Sequence, residues 1–181
     1  MLSEQTTKNI ADAFRRAAGA TLVRATGDAC SIVAATATKS SVKLSPNLLM
    51  ITISSFTFRL VTVFQVSDEQ PTRDYYAGAG QGTLDETFAE VANMCCGALG
   101  RELSAQFKYL AMSIPYGLES QCTAFLNELK PRFRASYDIT INEAARMRVT
   151  LCMCCNRQVE FTAAAAAAVA VSHAGGELEM F

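Results

Sequence analysis

Glu90 and Asn93 are the pair of polar residues whose types and spacing are best suited to chemistry. They lie three residues apart in the segment 84–103, which reads LDETFAEVANMCCGALGREL. In a helix with about 100° per residue, that spacing places the two side chains within roughly 60° of each other. An amide can both donate and accept hydrogen bonds, so Asn93 could orient a water molecule without carrying charge. The sequence therefore predicts a carboxylate and a carboxamide side by side on a rigid element.

The segment around this pair predicts an amphipathic helix that begins at Thr83. Its apolar positions recur at helical spacing on one face: Leu84, Phe88, Val91, Cys95 and Leu99. The opposite face carries four residues: Glu86, Glu90, Asn93 and Gly97. Thr83-Leu-Asp-Glu86 is a capping-box pattern, which gives Glu86 a structural role. By itself, E-x-x-N on the exposed face of a helix is common, and simple solvation is the alternative interpretation.

The composition is that of one globular domain without a nucleic-acid-binding surface. The chain has 181 residues, of which 50% are hydrophobic, and a formal net charge of −1. Such a chain is long enough to bury a core and too hydrophobic to be disordered. The densest basic spots are Arg15-Arg16 and the group Lys130, Arg132 and Arg134. We interpret them as solvated ends of helices and loops, because nucleic-acid binding needs a basic face and a high pI.

The amino-terminal segment and the cysteines predict a cytoplasmic protein with free thiols. The start, MLSEQTTKNIADAF, lacks the basic and apolar regions of a signal peptide. No uncharged apolar run reaches the roughly 18 residues of a membrane span. Seven cysteines without a signal peptide indicate a reducing compartment, and their odd number excludes a complete intramolecular disulfide set.

The other candidate groups for chemistry are weaker. His173, the only histidine, has no candidate nucleophile beside it in the sequence. Cys152-x-x-Cys155 has the gap of a zinc-binding pair, but no second such pair exists to complete four ligands. We predict no metal site and interpret the cysteines as small buried apolar residues. The glycines of 78–82 lack the spacing and the preceding strand of a dinucleotide-binding fingerprint.

Periodicity and turn residues predict the other helices and loops. Residues 5–18 predict a first helix that ends at Gly19. Residues 67–82, with Pro71 and three glycines, predict a loop. The central helix is expected to fray between residues 103 and 109. Residues 125–130 predict a short helix or turn that ends at Pro131.

Several segments have the composition or alternation of strands. They are 21–26, 30–38, a hairpin over 48–66 broken near Ser54-Ser55, an extended stretch at 112–117, and a second hairpin with strands 137–141 and 147–154 joined by 142–146. The first hairpin lacks a strong turn signature such as Asn-Gly. The six alanines of 163–168 favour a carboxy-terminal helix, while a strand running from Val159 through Val171 is the alternative.

The segment 84–103, followed by MSIPYGLES at 112–120, resembles the signature of the CheX-type chemotaxis phosphatases, relatives of CheC and FliY. In that family an LDE start leads into a helix with E-x-x-N-M-x-x-G, and a proline-containing extended segment follows. The match covers roughly residues 84–118. The resemblance implies an α+β fold in which an antiparallel-rich sheet packs against helices. Residues 1–157 would form the CheX-like domain, and 158–181 an Ala-rich extension within the same domain or as a tail.

The resemblance also implies a function. The family dephosphorylates the phosphorylated response regulator CheY, in chemotaxis or related two-component signalling. Carried over by position, Asn93 holds the attacking water in line with the phosphorus and Glu90 pairs with a lysine of the receiver. Glu86 and Gly97, on the same face, are candidate partner contacts. The chain needs no cofactor of its own, since Mg²⁺ and the phosphorylated aspartate belong to the partner. The family further implies a homodimer formed through sheet edges.

Several alternatives stay open at this point. The single E-x-x-N favours a CheX-like, one-site protein over the tandem helices of CheC-type members, and the region 119–146 is longer than usual. Gly97 either lets a partner's backbone approach or serves helix packing within the fold. The main rival hypothesis is a non-catalytic module of the same fold that binds a receiver or assembles in a flagellar-switch complex. A second rival is a thiol-based redox or metal sensor built on Cys152, Cys154 and Cys155.

Overall fold

The computed structural model describes residues 2–35, 43–77 and 83–162. These residues form the following elements: α1 (Glu4–Thr21), β1 (Cys30–Ala34), β2 (Asn47–Ser54), β3 (Phe58–Val66), α2 (Gln70–Ala77), α3 (Leu84–Ser104), β4 (Ala111–Met112), β5 (Tyr116–Glu119), a 3₁₀ segment (Ser120–Leu129), β6 (Phe133–Ile141) and β7 (Ala145–Cys155). The described strands form one seven-stranded sheet. Every pairing is antiparallel, so the fold is α+β as predicted. None of the described helices is long and apolar enough to cross a membrane.

The sheet is built around two hairpins, and β3 and β7 pair at its centre. The strand order is β1-β6-β7-β3-β2-β4, with β5 also paired to β2. The hairpin predicted over 48–66 is confirmed as β2 and β3. In its turn, the Ser55 hydroxyl accepts hydrogen bonds from the amides of Thr57 at 3.1 Å and Phe58 at 3.2 Å. This serine turn explains how the hairpin forms without an Asn-Gly signature.

The second predicted hairpin is confirmed with longer strands. β6 and β7 pair from Phe133 opposite Met153 to Ile141 opposite Ala145. Asn142, in the connecting turn, has φ 50°, the left-handed conformation that asparagine tolerates better than most residues.

The remaining predicted strands and turns are confirmed in part. β1 confirms the start of the strand predicted over 30–38, and residues 36–42 lie outside the described residues. The extended stretch 112–117 is confirmed by β4 and β5 at its two ends. The turn predicted at 125–130 overlaps the second half of the longer 3₁₀ segment, which ends at Leu129, before Lys130 adopts a φ of 49°.

α1 and α3 cover one face of the sheet and enclose the main core. The buried side chains of α1 that enter this core are small, aliphatic or aromatic: Ile10, Ala11, Ala13, Phe14, Ala17 and Ala18. From β7 the core receives the alternating set predicted to share one face: Met147, Val149, Leu151 and Met153. The alternate side chains of β7 face away from the helices. Among them, Cys152 belongs to a second, smaller apolar cluster.

α1 continues past Gly19 to Thr21, so the predicted stop at Gly19 is wrong, as is the strand predicted over 21–26. The amide of Leu22 donates to the carbonyl of Ala18 at 2.9 Å, which closes the last turn. The Leu22 side chain is fully buried. Its burial in the core holds this turn despite the low helix propensity of glycine.

The loop predicted over 67–82 is wrong for 70–77, where α2 forms, and 78–82 lies outside the described residues. Pro71 is compatible with this helix because it sits in the first turn, where its missing N–H costs nothing. Tyr76 is 1% exposed and packs edge-on against Phe88 of α3, with ring centroids 5.4 Å apart. Its hydroxyl donates to the Leu22 carbonyl at 2.9 Å. Contacts with distant parts of the chain therefore stabilise α2.

Residues 158–162 pack onto α1 without forming a strand, so the strand alternative fails over this stretch. Phe161 is 1% exposed and Val159 is 3% exposed. The Asn9 amide donates to the Phe161 carbonyl at 2.6 Å, and the Phe161 amide donates to the Thr6 hydroxyl at 3.2 Å. The Ala-rich stretch from residue 163 onward, for which a helix was predicted, lies outside the described residues.

Replacing Phe161 with alanine tests whether this segment is part of the domain. Phe161→Ala should lower the free energy of unfolding by about 3 kcal/mol, because it removes a fully buried ring and leaves a cavity. Urea denaturation measures the change. Arg157→Ala, at the exposed position just before this segment, is the control and should change stability by less than about 0.5 kcal/mol. Equal stability of the two variants would contradict the packing seen here.

Candidate functional site

α3 carries the candidate site residues on a 21-residue helix that is held at its start and along one face. Thr83 is the N-cap: its hydroxyl accepts from the Glu86 amide at 3.3 Å, and its own amide donates to the Glu86 carboxylate at 3.0 Å. The predicted capping box is therefore confirmed. The buried face contains these side chains: Leu84, Phe88, Val91, Ala92, Cys95, Cys96, Leu99 and Leu103. The helix ends at Ser104, within the region where fraying was predicted.

Glu90 and Asn93 lie on the outward face of α3, where Glu90 is exposed and Asn93 is half-buried. Within the described residues, neither side chain makes a hydrogen bond or an ion pair. The Glu86 carboxylate, one turn earlier on the same face, is instead engaged by the amide and hydroxyl of Thr83. These hydrogen bonds hold the pKa of Glu86 below its usual value. Glu90 and Asn93 thus lie on the same outward face of α3 without a side-chain partner among the described residues.

Gly97 lies one turn beyond Asn93 and is open on its outer side. A Cβ added there would meet only the Nη1 atom of Arg101, at 3.8 Å, which is ordinary van der Waals contact. Packing within the described part of the chain therefore does not require glycine at this position.

Two further residues on this face were missed by the sequence reasoning. Arg101 places its guanidinium over Gly97 and makes no ion pair with another described residue. The thioether-bearing Met94 is 53% exposed. The helical period could have indicated Arg101, since it lies eleven residues after Glu90 and hence within about 20° of it. The outward face of α3 therefore carries one cation beside the carboxylate and the amide.

The cysteine thiols of α3 are buried and unsuited to nucleophilic chemistry. Burial raises the pKa of the Cys95 thiol to about 12 and raises that of Cys96 as well. Burial also raises the pKa of Cys152, Cys154 and Cys155 on β7. Among the described residues, no group of three or more His, Cys, Asp and Glu side chains is arranged to hold a metal ion. His173 and the glycines of 78–82 lie outside these residues.

Comparison with known proteins finds similarity in structure. No family model matches the chain, and no curated protein matches it in sequence. A chain of the CheX–CheY–BeF₃–Mg²⁺ complex from Borrelia burgdorferi is 12% identical, with a TM-score of 0.54 over 82% of this chain and 97% of that one. The chemotaxis protein CheX from Vibrio vulnificus is 10% identical, with a TM-score of 0.52 over 83% of this chain and 99% of that one. This chain has a CheX-type fold.

A CheC-like superfamily protein from Shewanella sp. PV-4 shares this fold at 8% identity, with a TM-score of 0.50 over 83% of this chain and 98% of that one. The CheX-type fold predicted from the E-x-x-N segment is thereby confirmed. Because nearly the whole length of each neighbour is covered, residues outside the predicted signature also follow the CheX-type arrangement. At 8–12% identity, the likeness is one of fold.

Substituting Thr83 tests the contribution of the capping box to α3. Thr83→Ala should lower the free energy of unfolding by about 1 kcal/mol, because the Glu86 amide in the first turn loses its acceptor. Thr87→Ala, one turn further along the helix, is the matched control. It should be neutral or slightly stabilising, because alanine has the higher helix propensity. If both variants unfold at the same denaturant concentration, the cap does not hold the helix start.

Proposed function

We propose that this protein is a phosphatase that removes the phosphoryl group from the aspartate of a CheY-like response regulator in chemotaxis or related two-component signalling. The observation that carries the proposal is the unengaged Glu90–Asn93 pair on the outward face of α3. The CheX-type fold supports it, since one similar chain comes from a complex of CheX with CheY.

Asn93 has the chemistry that this hydrolysis needs. Breakdown of an aspartyl phosphate requires a water in line with the phosphorus and little covalent help from the enzyme. The Asn93 amide can accept a hydrogen bond from that water while its N–H₂ group donates to a phosphoryl oxygen. A carboxylate in this position would repel the phosphoryl group. Holding the water in a reactive geometry lowers the barrier by several kcal/mol through positioning alone.

Glu90 is assigned to docking. In the proposal its exposed carboxylate pairs with a lysine of the receiver and fixes the angle at which α3 meets the phosphorylated site. The phosphorylated aspartate, the attacking water and the Mg²⁺ that offsets phosphoryl charge arrive with the receiver. The proposal also retains a homodimer formed through sheet edges. In the described sheet, β1 lies at one edge, and β4 and β5 lie along the other.

The decisive measurement is the decay of a phosphorylated CheY-like receiver with and without this protein. Wild-type protein should accelerate the loss of phosphate. Asn93→Ala should reduce the acceleration by about 100-fold, the order expected for one positioned hydrogen-bonding group. Glu90→Ala should raise the apparent KM for the receiver by about tenfold and change kcat less, because it removes a docking charge.

Two exposed residues outside α3 provide matched controls: Asn156→Ala, just after β7, and Glu128→Ala, in the 3₁₀ segment. Both should leave the decay rate unchanged. If the wild type binds the receiver yet decay is equally slow with wild type and Asn93→Ala, the protein is the non-catalytic binding module of the rival hypothesis. Absence of both binding and acceleration with every CheY-like receiver tested would overturn the proposal that a receiver is the partner of this face.

Gly97 and Gly100 form a pair for testing close approach of the partner. Both lie within α3, and a Cβ at Gly100 would meet only Ile53 Cδ1, at 3.9 Å. Each glycine-to-alanine change should stabilise the helix by about 0.5–1 kcal/mol. Gly97→Ala should nevertheless weaken receiver binding, since its methyl group projects from the docking face, whereas Gly100→Ala should not. Receiver titration together with urea denaturation measures both effects, and equal affinity of the two variants would remove Gly97 from the interface.

A further inference from the structure

A groove with a cavity volume of about 910 Å³ lies on the sheet face turned away from α1 and α3. It is bounded by the turn between β2 and β3, the end of the 3₁₀ segment with the loop 130–132 that follows it, and the end of β7. The register explains how these parts meet: Ser54 pairs with Arg59, which in turn pairs with Cys154. Residues that face each other across antiparallel strands project on the same side of the sheet.

The charged side chains that line the groove are all positive. Arg59, Lys130 and Arg132 line it, whereas its described lining includes no aspartate or glutamate. All three cations are exposed, and none forms an ion pair with another described residue. In a chain whose net charge is −1, these three cations form a local positive surface. Two of them, Lys130 and Arg132, belong to the basic spot that the sequence suggested was merely solvated.

The cations lower the pKa of cysteine thiols that line the groove. Burial raises the pKa of the Cys154 thiol, and the nearby Arg59 charge partly offsets that rise. Cys155 shows the same opposition between burial, which raises its pKa, and Arg132, which lowers it. The positive charges are thus close enough to the floor of the groove to stabilise a negative charge placed there.

The floor beneath these cations is largely apolar. Met50, Val61 and Leu129 line it, and Leu129 is 43% exposed. The ring of Phe56 stands at the rim, 84% exposed. A ligand that fits must therefore offer an apolar body to the floor and a negative group to the rim.

We propose that this groove binds a small organic anion whose phosphate or carboxylate group contacts Arg59, Lys130 and Arg132 while its apolar body lies on Met50, Val61 and Leu129. The site lies across the sheet from Glu90 and Asn93, so this proposal can be tested independently of the phosphatase proposal. Its volume lies within the range of small-molecule sites in proteins, roughly 300–1,000 Å³.

Fluorescence titration with 1-anilinonaphthalene-8-sulfonate tests the site, because this probe combines an anion with an aromatic body. Wild-type protein should bind it saturably at one site, more weakly as salt is added. The double variant Arg59→Ala/Arg132→Ala should bind at least about tenfold more weakly, since charged hydrogen bonds are lost. Lys8→Ala, at an exposed position on α1, should bind like the wild type.

Displacement of the probe then separates the two sources of negative charge. Octyl phosphate, octanoate and neutral octanol share one tail and differ in the head group. Displacement by only one of the two anions, and not by octanol, supports the proposal and identifies the preferred head group. Displacement by both anions but not by octanol supports the shared anion chemistry. Displacement by octanol equal to that by the anions, or equal probe affinity of wild type and the double variant, overturns it. Circular dichroism of the double variant verifies that its fold is intact. Amide chemical shifts of the wild-type protein, titrated with the probe, locate the bound probe.

Discussion

Burial of one face of α3 against the sheet fixes both the position and the direction of the polar pair. Phe88 packs edge-on between the rings of Phe64 and Tyr76, with centroids 6.2 and 5.4 Å away, and Leu99 is fully buried. A helix held in this way cannot rotate about its axis without exposing apolar surface worth roughly 1.5–3 kcal/mol per large side chain. Glu90 and Asn93 therefore point outwards because their neighbours point inwards. For the proposed phosphatase, the position of the two side chains is therefore set by the core, and little of it depends on the two residues themselves.

Sequence reasoning succeeded where local signals and tertiary packing agree. α3 has both a capping box and a regular apolar face, and the β6–β7 hairpin has clear alternation. The predictions at Gly19 and over 67–82 failed because glycine and proline are local signals that distant contacts overrode, through the burial of Leu22 and Tyr76. At the site, the helical period was enough to place Glu90 beside Asn93. It did not show that the Arg101 side chain lies over Gly97, since that depends on a side-chain conformation. The groove could not be predicted from the sequence either, because only the strand register brings Arg59 to Cys154.

The sheet separates two surfaces of different chemistry, and β2 contributes to both. Ile51 and Ile53 lie in the core beneath the helices, while Met50 and Thr52 face the groove. Because side chains alternate along a strand, a shift of one residue in the register of β2 would exchange these two sets. The Ser55 turn between β2 and β3 sets this register, so one short turn governs both the support of α3 and the shape of the basic groove.

The hydrogen bond from Asn9 to the Phe161 carbonyl joins residues that are 152 positions apart in the chain. α1 cannot complete its burial until that distant segment is available. During synthesis, the first helix is therefore fully buried only after nearly the whole described chain has been made. Contacts of such long sequence separation slow folding, because the loop must close before the contact can stabilise it. A nascent chain halted before residue 161 would thus expose the side of α1 that Phe161 normally covers, and it would present an apolar surface to chaperones for as long as the halt lasted.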